Sequence, residues 1–162
     1  MQGDPRLPAA DLEAAARAAA AGRPLCDSLA AAEVAMTELY LERGFLDAQV
    51  TIPWPTTPGT TIVDVETIPG ARHVIGGIDV DQSAAPKAKR VKEKELLRRI
   101  AAIAETGEVA SMSKLRGIVD VVEGTLRDAG LGPVDVQAER KAGGEGEDVR
   151  VDLVIRVRAS GA

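Results

Sequence analysis

"LYLERGFLDAQV", Leu39 to Val50, reads as the last turn of a helix, a glycine stop and the start of a strand. Gly44 stands where the helix must end. A left-handed residue there satisfies the last carbonyls, and glycine adopts that conformation without a Cβ penalty. Beyond it Ala48, Val50 and Ile52 alternate with polar residues, the two-residue period of a strand with one buried face. The stretch "TLRDAGLGPVDV", Thr125 to Val136, carries the same order of signals. A shift of 86 positions sets Leu29 on Leu115, Met36 on Val122, Tyr40 on Leu126, Gly44 on Gly130 and Val50 on Val136. The chain therefore writes one structural unit twice.

Each glycine stop closes a pair of helices. In the second copy Met112, Leu115, Val119, Val122, Leu126 and Ala129 step by three and four residues, the signature of one buried helix face. Upstream, "PAADLEAAARAAAAG" is expected to stop at Gly22, with Pro24 beyond it, and "VKEKELLRRIAAIAETG" at Gly107. Asp27 or Ser28 is placed to cap the second helix of the first pair, and Ser111 that of the second. Gly117 and Gly124 lie inside a helix, where each costs up to ~1 kcal/mol against alanine.

A hairpin follows each stop. In the first copy "PWPTTPG" turns the chain and "TIVDVETI" returns; in the second Val134, Val136 and Ala138 alternate, "AGGEGED" turns and "VRVDLVIRV" returns. Between the copies "RHVIGGIDVD" supplies a further strand, on which Val74, Ile78 and Val80 are expected to share a face. The fold class is therefore α+β: two tandem β-α-α-β-β units, each a small three-stranded sheet covered by two helices. The first unit, residues 1–70, lacks its opening strand, because "MQGDPRLP" is short and broken by proline. The second spans residues 71–162.

The chain has 162 residues, of which 45% are apolar and only 2% aromatic, so its cores are shallow and aliphatic. Net charge is −5 and pI about 5.0, a balance against nucleic-acid binding, which rests on basic faces. No apolar run is long enough to cross a bilayer. "MQGDPRLPAAD" has neither the basic nor the apolar region of a signal peptide, so an exported protein would have lost its signal. Cys26 is the single cysteine, which excludes an intrachain disulfide and leaves the compartment open.

This order of elements resembles the polypeptide-transport-associated (POTRA) domain. Tyr40, Gly44 and Phe45, followed by Ala48 and Val50, resemble that family's aromatic–glycine–aromatic helix exit. "VETIPGARHVIGGIDV" resembles its junction between repeats, with a strand ending at Gly70 and the next opening on Val74, Ile75 and Ile78; "GRPLCDSL" resembles its inter-helix link. The resemblance runs from about Ala10 to Gly161, and the second copy departs from it at Leu126, Leu131 and Gly132-Pro133. It implies a non-catalytic periplasmic arm of a bacterial outer-membrane protein, as in BamA-like barrel assembly factors, attached in the full-length protein to a membrane β-barrel. Implied partners are unfolded outer-membrane protein precursors or accessory envelope proteins, with no nucleic acid, cofactor or metal. The alternative within the same fold is an oligomerisation or cell-envelope anchoring module.

The resemblance also places the second strand of each unit at a sheet edge. An open edge offers unpaired backbone groups to which an extended client adds as a further strand, whatever its sequence. The implied binding residues are Ala48, Gln49, Val50, Thr51 and Ile52 in the first unit, and Val134, Asp135, Val136, Gln137 and Ala138 in the second. Pro53 and Pro55 limit such zipping, or simply guard the first edge against aggregation. Trp54 is expected to lid the core of the first unit, with a docking anchor as the alternative. The basic stretch Pro86 to Arg99 reads as a solvated helix start, with anionic headgroups or an acidic partner as the alternative. His73 stands alone, without the ligands of a zinc cage. Cys26 has no base beside it and reads as a small buried hydrophobe. The glycine pair of "VIGGI" runs on as strand, unlike a phosphate loop.

Overall fold

Alanine, the best helix former, builds α1 over Ala9–Ala20. The computed structural model describes residues 6–54, 64–131, 134–141 and 148–157. It divides into two compact units, Met1–Ala71 and Arg72–Ala162. The two expected hairpin turns, Pro55, Gly132-Pro133, Gly161 and most of "MQGDPRLP" lie outside the described residues.

In the first unit α1 yields at Gly22, whose φ is +73°, and α2 runs over Leu25–Glu42. Neither Asp27 nor Ser28 caps α2, which starts one turn earlier than those residues would set it, at Pro24. Ser28 instead turns back: its Oγ donates to Ala20 O at 3.2 Å and to Arg23 O at 3.0 Å, tying the helix pair at its link. Cys26 is not buried but exposed on the first turn of α2. At Gly44 (φ +89°) the chain leaves the helix, and Phe45 N–H closes the end on Tyr40 O at 3.0 Å. Strand β1 (Gln49–Thr51) pairs antiparallel with β2 (Glu66–Ile68), Val50 opposite Thr67. Leu12, Met36, Tyr40, Phe45, Ala48 and Val50 form the core. Leu7 joins them from a stretch whose sequence gave no sign of it.

The second unit opens with β3 (His73–Asp81), passes through a short 3₁₀ turn at Lys87–Lys89, and continues with α3 (Glu93–Ala101), α4 (Met112–Asp128), β4 (Val134–Lys141) and β5 (Val149–Val157). The sheet order is β3-β5-β4, with β3 parallel and β4 antiparallel to β5. Val151, Leu153, Ile155 and Val157 face the helices, where Leu96, Ile100, Ile118, Val122 and Leu126 complete the core.

Two expectations fail here. Helix α3 ends at Ala101, six residues before Gly107. The chain beyond it is drawn onto the edge of β3: Gly107 N–H donates to Ile75 O at 2.7 Å, Ile75 N–H to Glu108 O at 2.8 Å, and Ala110 N–H to His73 O at 3.0 Å. Those bonds replace the helical ones. The side chain of Glu108 secures the loop, accepting from Lys114 Nζ at 2.9 Å and Glu105 N–H at 3.1 Å; the lysine first, then the amide, lower its carboxyl pKa. Second, Val74 does not share a face with Ile78 and Val80. The register with β5 slips between Ile75 and Ile78, so His73, Ile75, Ile78 and Val80 pair with the core-facing residues of β5 while Val74 pairs with exposed Arg150. A bulge at Gly76-Gly77 inserts one residue and reverses the alternation.

Ser111 does cap α4, its Oγ accepting from Lys114 N–H at 3.2 Å. Ser111→Ala is expected to lower the unfolding free energy of the second unit by about 1 kcal/mol, read as a shifted urea midpoint with an unchanged slope. Gly117 is explained by packing: a Cβ there would stand 3.2 Å from Ile103 Cγ2. Nothing in the structure explains Gly124.

Candidate functional site

Strand β4 ends the sheet order of the second unit, and no described strand lies on its far side. Its eight residues pair with β5 from Val134 opposite Val157 to Lys141 opposite Arg150. The register puts Val134 and Ala138 on the side of the sheet that meets the helices, and Asp135, Gln137 and Glu139 on the other. Ala138 is exposed although it lies on the helix side. Its methyl group is too short to close the space between β4 and α4, and a groove of about 280 Å³ remains. Leu115 and Val119 of α4, Ala138 and Leu153 line it, with Arg116 and Asp120 at the rim. Leu115 and Val119, read from the sequence as core, are only half-buried, and the deepest residues of α4 are Ile118, Val122 and Leu126. The apolar stripe of α4 is wide enough to serve the core with one flank and this groove with the other.

The first unit presents a different edge. Gln49, Val50 and Thr51 form β1, Ala48 precedes it and Ile52 follows it. Ala48 and Val50 are buried against the core. Beyond the strand, Ile52 N–H donates to Glu33 Oε2 of α2 at 3.0 Å. Sequence reasoning passed over Glu33. The signal for it was a carboxylate in the stripe that runs from Leu29 to Met36 and Tyr40.

Trp54 does not lid the core. It is 59% exposed, and Leu7, Tyr40 and Phe45 close that core instead. The Tyr40 and Phe45 rings meet edge to face, with centroids 5.9 Å apart. Within the basic stretch, Lys89 Nζ donates to Gly130 O at 3.2 Å, Arg90 to Ala85 O at 3.0 Å and Ser83 O at 2.8 Å, and Arg99 to Glu95 Oε1 at 2.9 Å. These cations fasten loops and helix ends of the unit. His73 is buried on β3. Among the described residues no three His, Cys, Asp or Glu side chains are grouped to hold a metal ion, and no helix is long and apolar enough to cross a membrane.

No protein-family model matches the sequence, and no curated protein matches it. Solved structures do match the fold. A crystal structure of Haemophilus influenzae BamA POTRA3-5 superposes with a TM-score of 0.59 at 15% identity, covering 92% of this chain and 55% of that one. BamA from Haemophilus ducreyi lacking POTRA domains 1-3 gives 0.55 at 17% identity over 80% of this chain and 22% of that one. POTRA1-2 of the periplasmic domain of Omp85 from Anabaena gives 0.55 at 16% identity, covering 99% of this chain and 92% of that structure. The chain thus spans about half of the first structure and a fifth of the second. At these identities the likeness is one of fold, and it agrees with the repeated helix exit, the α+β content and the two compact units: the chain folds as a tandem of POTRA-like units.

Proposed function

We propose that this chain is a non-catalytic scaffold segment on the periplasmic side of an outer-membrane protein assembly or translocation factor. It takes up extended polypeptide, from unfolded outer-membrane protein precursors or accessory envelope proteins, as an added strand at a sheet edge. Residues 48–52 and 134–138 are the two candidate edges, with Trp54 as an exposed anchor near the first. In the full-length protein the segment adjoins a membrane β-barrel. The observation that carries the reading is β4: a strand at the end of its sheet, flanked by an apolar groove. Backbone pairing supplies affinity without regard to sequence, and the groove favours a client with apolar side chains on alternate residues. That alternation is what a membrane barrel strand carries.

The test is a titration of isotope-labelled protein with a synthetic barrel-strand peptide of alternating apolar residues. Chemical-shift changes are expected along Val134–Lys141 and at Leu115 and Val119. Silence at both candidate edges, with concentration-dependent self-association instead, would replace the scaffold by an oligomerisation or anchoring module.

A further inference from the structure

The shift of 86 positions that superposes the two units also sets Glu33 on Val119 and Ile52 on Ala138. In the second unit Val119 and Ala138 both line the groove beside β4. In the first unit the equivalent pair is bonded, Glu33 Oε2 accepting the Ile52 N–H at 3.0 Å. Where one unit has an open apolar slot, the other has a carboxylate clamped onto the strand.

The consequence for β1 follows from strand geometry. N–H and C=O of one residue point to the same side, and those of the next residue to the other. Residues 48, 50 and 52 therefore share a side. Of their donors, Ala48 N–H is bonded to Phe45 O at 3.0 Å and Ile52 N–H to Glu33. Only Val50 lies between the occupied positions, too short a run for an incoming strand to zip along. To open that run a client would have to strip Ile52 N–H of its acceptor and set an apolar side chain against a carboxylate, both unfavourable.

We infer that the two edges are not equivalent: Glu33 holds β1 shut, and an extended polypeptide with alternating apolar side chains docks on β4 alone, seating one of them among Leu115, Val119 and Leu153. This inference rests on the strand-addition reading and narrows it to one edge.

Exchanging the two equivalent residues tests it, with the same barrel-strand peptide followed by calorimetry and by chemical shift. The wild-type chain is expected to bind one peptide, with shifts at Val134–Lys141. Glu33→Val is expected to add a second site with shifts at Gln49–Ile52. That site is weaker by roughly tenfold, since β1 offers a shorter ladder than β4. Glu33→Gln keeps an oxygen acceptor for Ile52 N–H and is expected to stay at one peptide. Val119→Glu is expected to weaken β4 binding by at least roughly tenfold while the amide spectrum stays dispersed. Wild-type shifts on either strand of the first unit would overturn the inequality and leave strand addition standing. So would a folded Glu33→Val chain that still takes one peptide, or a folded Val119→Glu chain that binds as tightly as wild type. Binding at neither edge of the wild-type chain would remove strand addition itself and this inference with it.

Discussion

Replacing Tyr40 by alanine is expected to melt the first unit and leave the second folded. Tyr40 is fully buried and stands at the centre of a core that also holds Leu7, Leu12, Met36, Phe45, Ala48 and Val50. It and Phe45 are the single tyrosine and single phenylalanine of the chain, and their edge-to-face contact joins the last turn of α2 to the entry of β1. Truncating a buried aromatic costs about 3–5 kcal/mol. A unit of this size buries a modest share of its surface, and domain stabilities start at about 5 kcal/mol. The two described strands of this unit add little, since isolated hairpins are marginal. The loss should therefore take most of the available stability. The second unit has its own core, built on β5. Amide hydrogen exchange is the measurement: α2 should lose protection in Tyr40→Ala while Val149–Val157 keep theirs. Loss of protection in both units together would mean that they unfold as one cooperative block.

The parts of the fold legible in the sequence are those decided within a few residues. Gly44 and Gly130 take the left-handed conformation because a helix has to end there, and both were visible as punctuation. Ser111 sits one residue before the helix it caps. "VRVDLVIRV" alternates over nine residues and is β5 to the residue. The misreadings of α3 and of Val74 involve contacts between distant residues. The end of α3 is set by hydrogen bonds to β3, some thirty positions earlier in the chain. The facing of Val74 is set by a bulge that answers to β5. The start of α2 is set by Pro24, while Ser28 serves the preceding helix. For the candidate site, the alternation of Val134 to Ala138 was readable, but the groove was not. Leu115 and Val119 look like core residues until the short side chain of Ala138 is known to lie opposite them. Glu33 was readable only as an oddity, a charge within an apolar stripe, and its bond to Ile52 spans nineteen positions.

The bulge itself yields the other large effect: Gly76→Val is expected to destabilise the second unit by about 2–4 kcal/mol, through overpacking and a lost hydrogen bond. Gly76 is buried in β3, and a Cβ placed on it would collide with Asp152 Oδ1 and come within 2.5 Å of Arg150 Cγ. Asp152 has no room to step aside without loss, because its Oδ1 accepts the Gly77 N–H at 2.6 Å. The remaining escape is to remove the bulge, and that shifts one half of β3 by a residue. A one-residue shift turns every side chain of that half to the other face. Either His73 and Ile75 or Ile78 and Val80 would then leave the positions that pair with Val149, Val151, Leu153 and Ile155. Urea unfolding of the second unit measures the cost, and chemical shifts of β5 report whether the register moved. Gly124→Ala is the control. Nothing lies within 4 Å of a Cβ there and its φ is that of an ordinary helix, so this change should be neutral or stabilise by up to about 1 kcal/mol. Opposite signs at two glycines of one unit would show that close approach of β5, rather than loss of glycine as such, makes Gly76 indispensable.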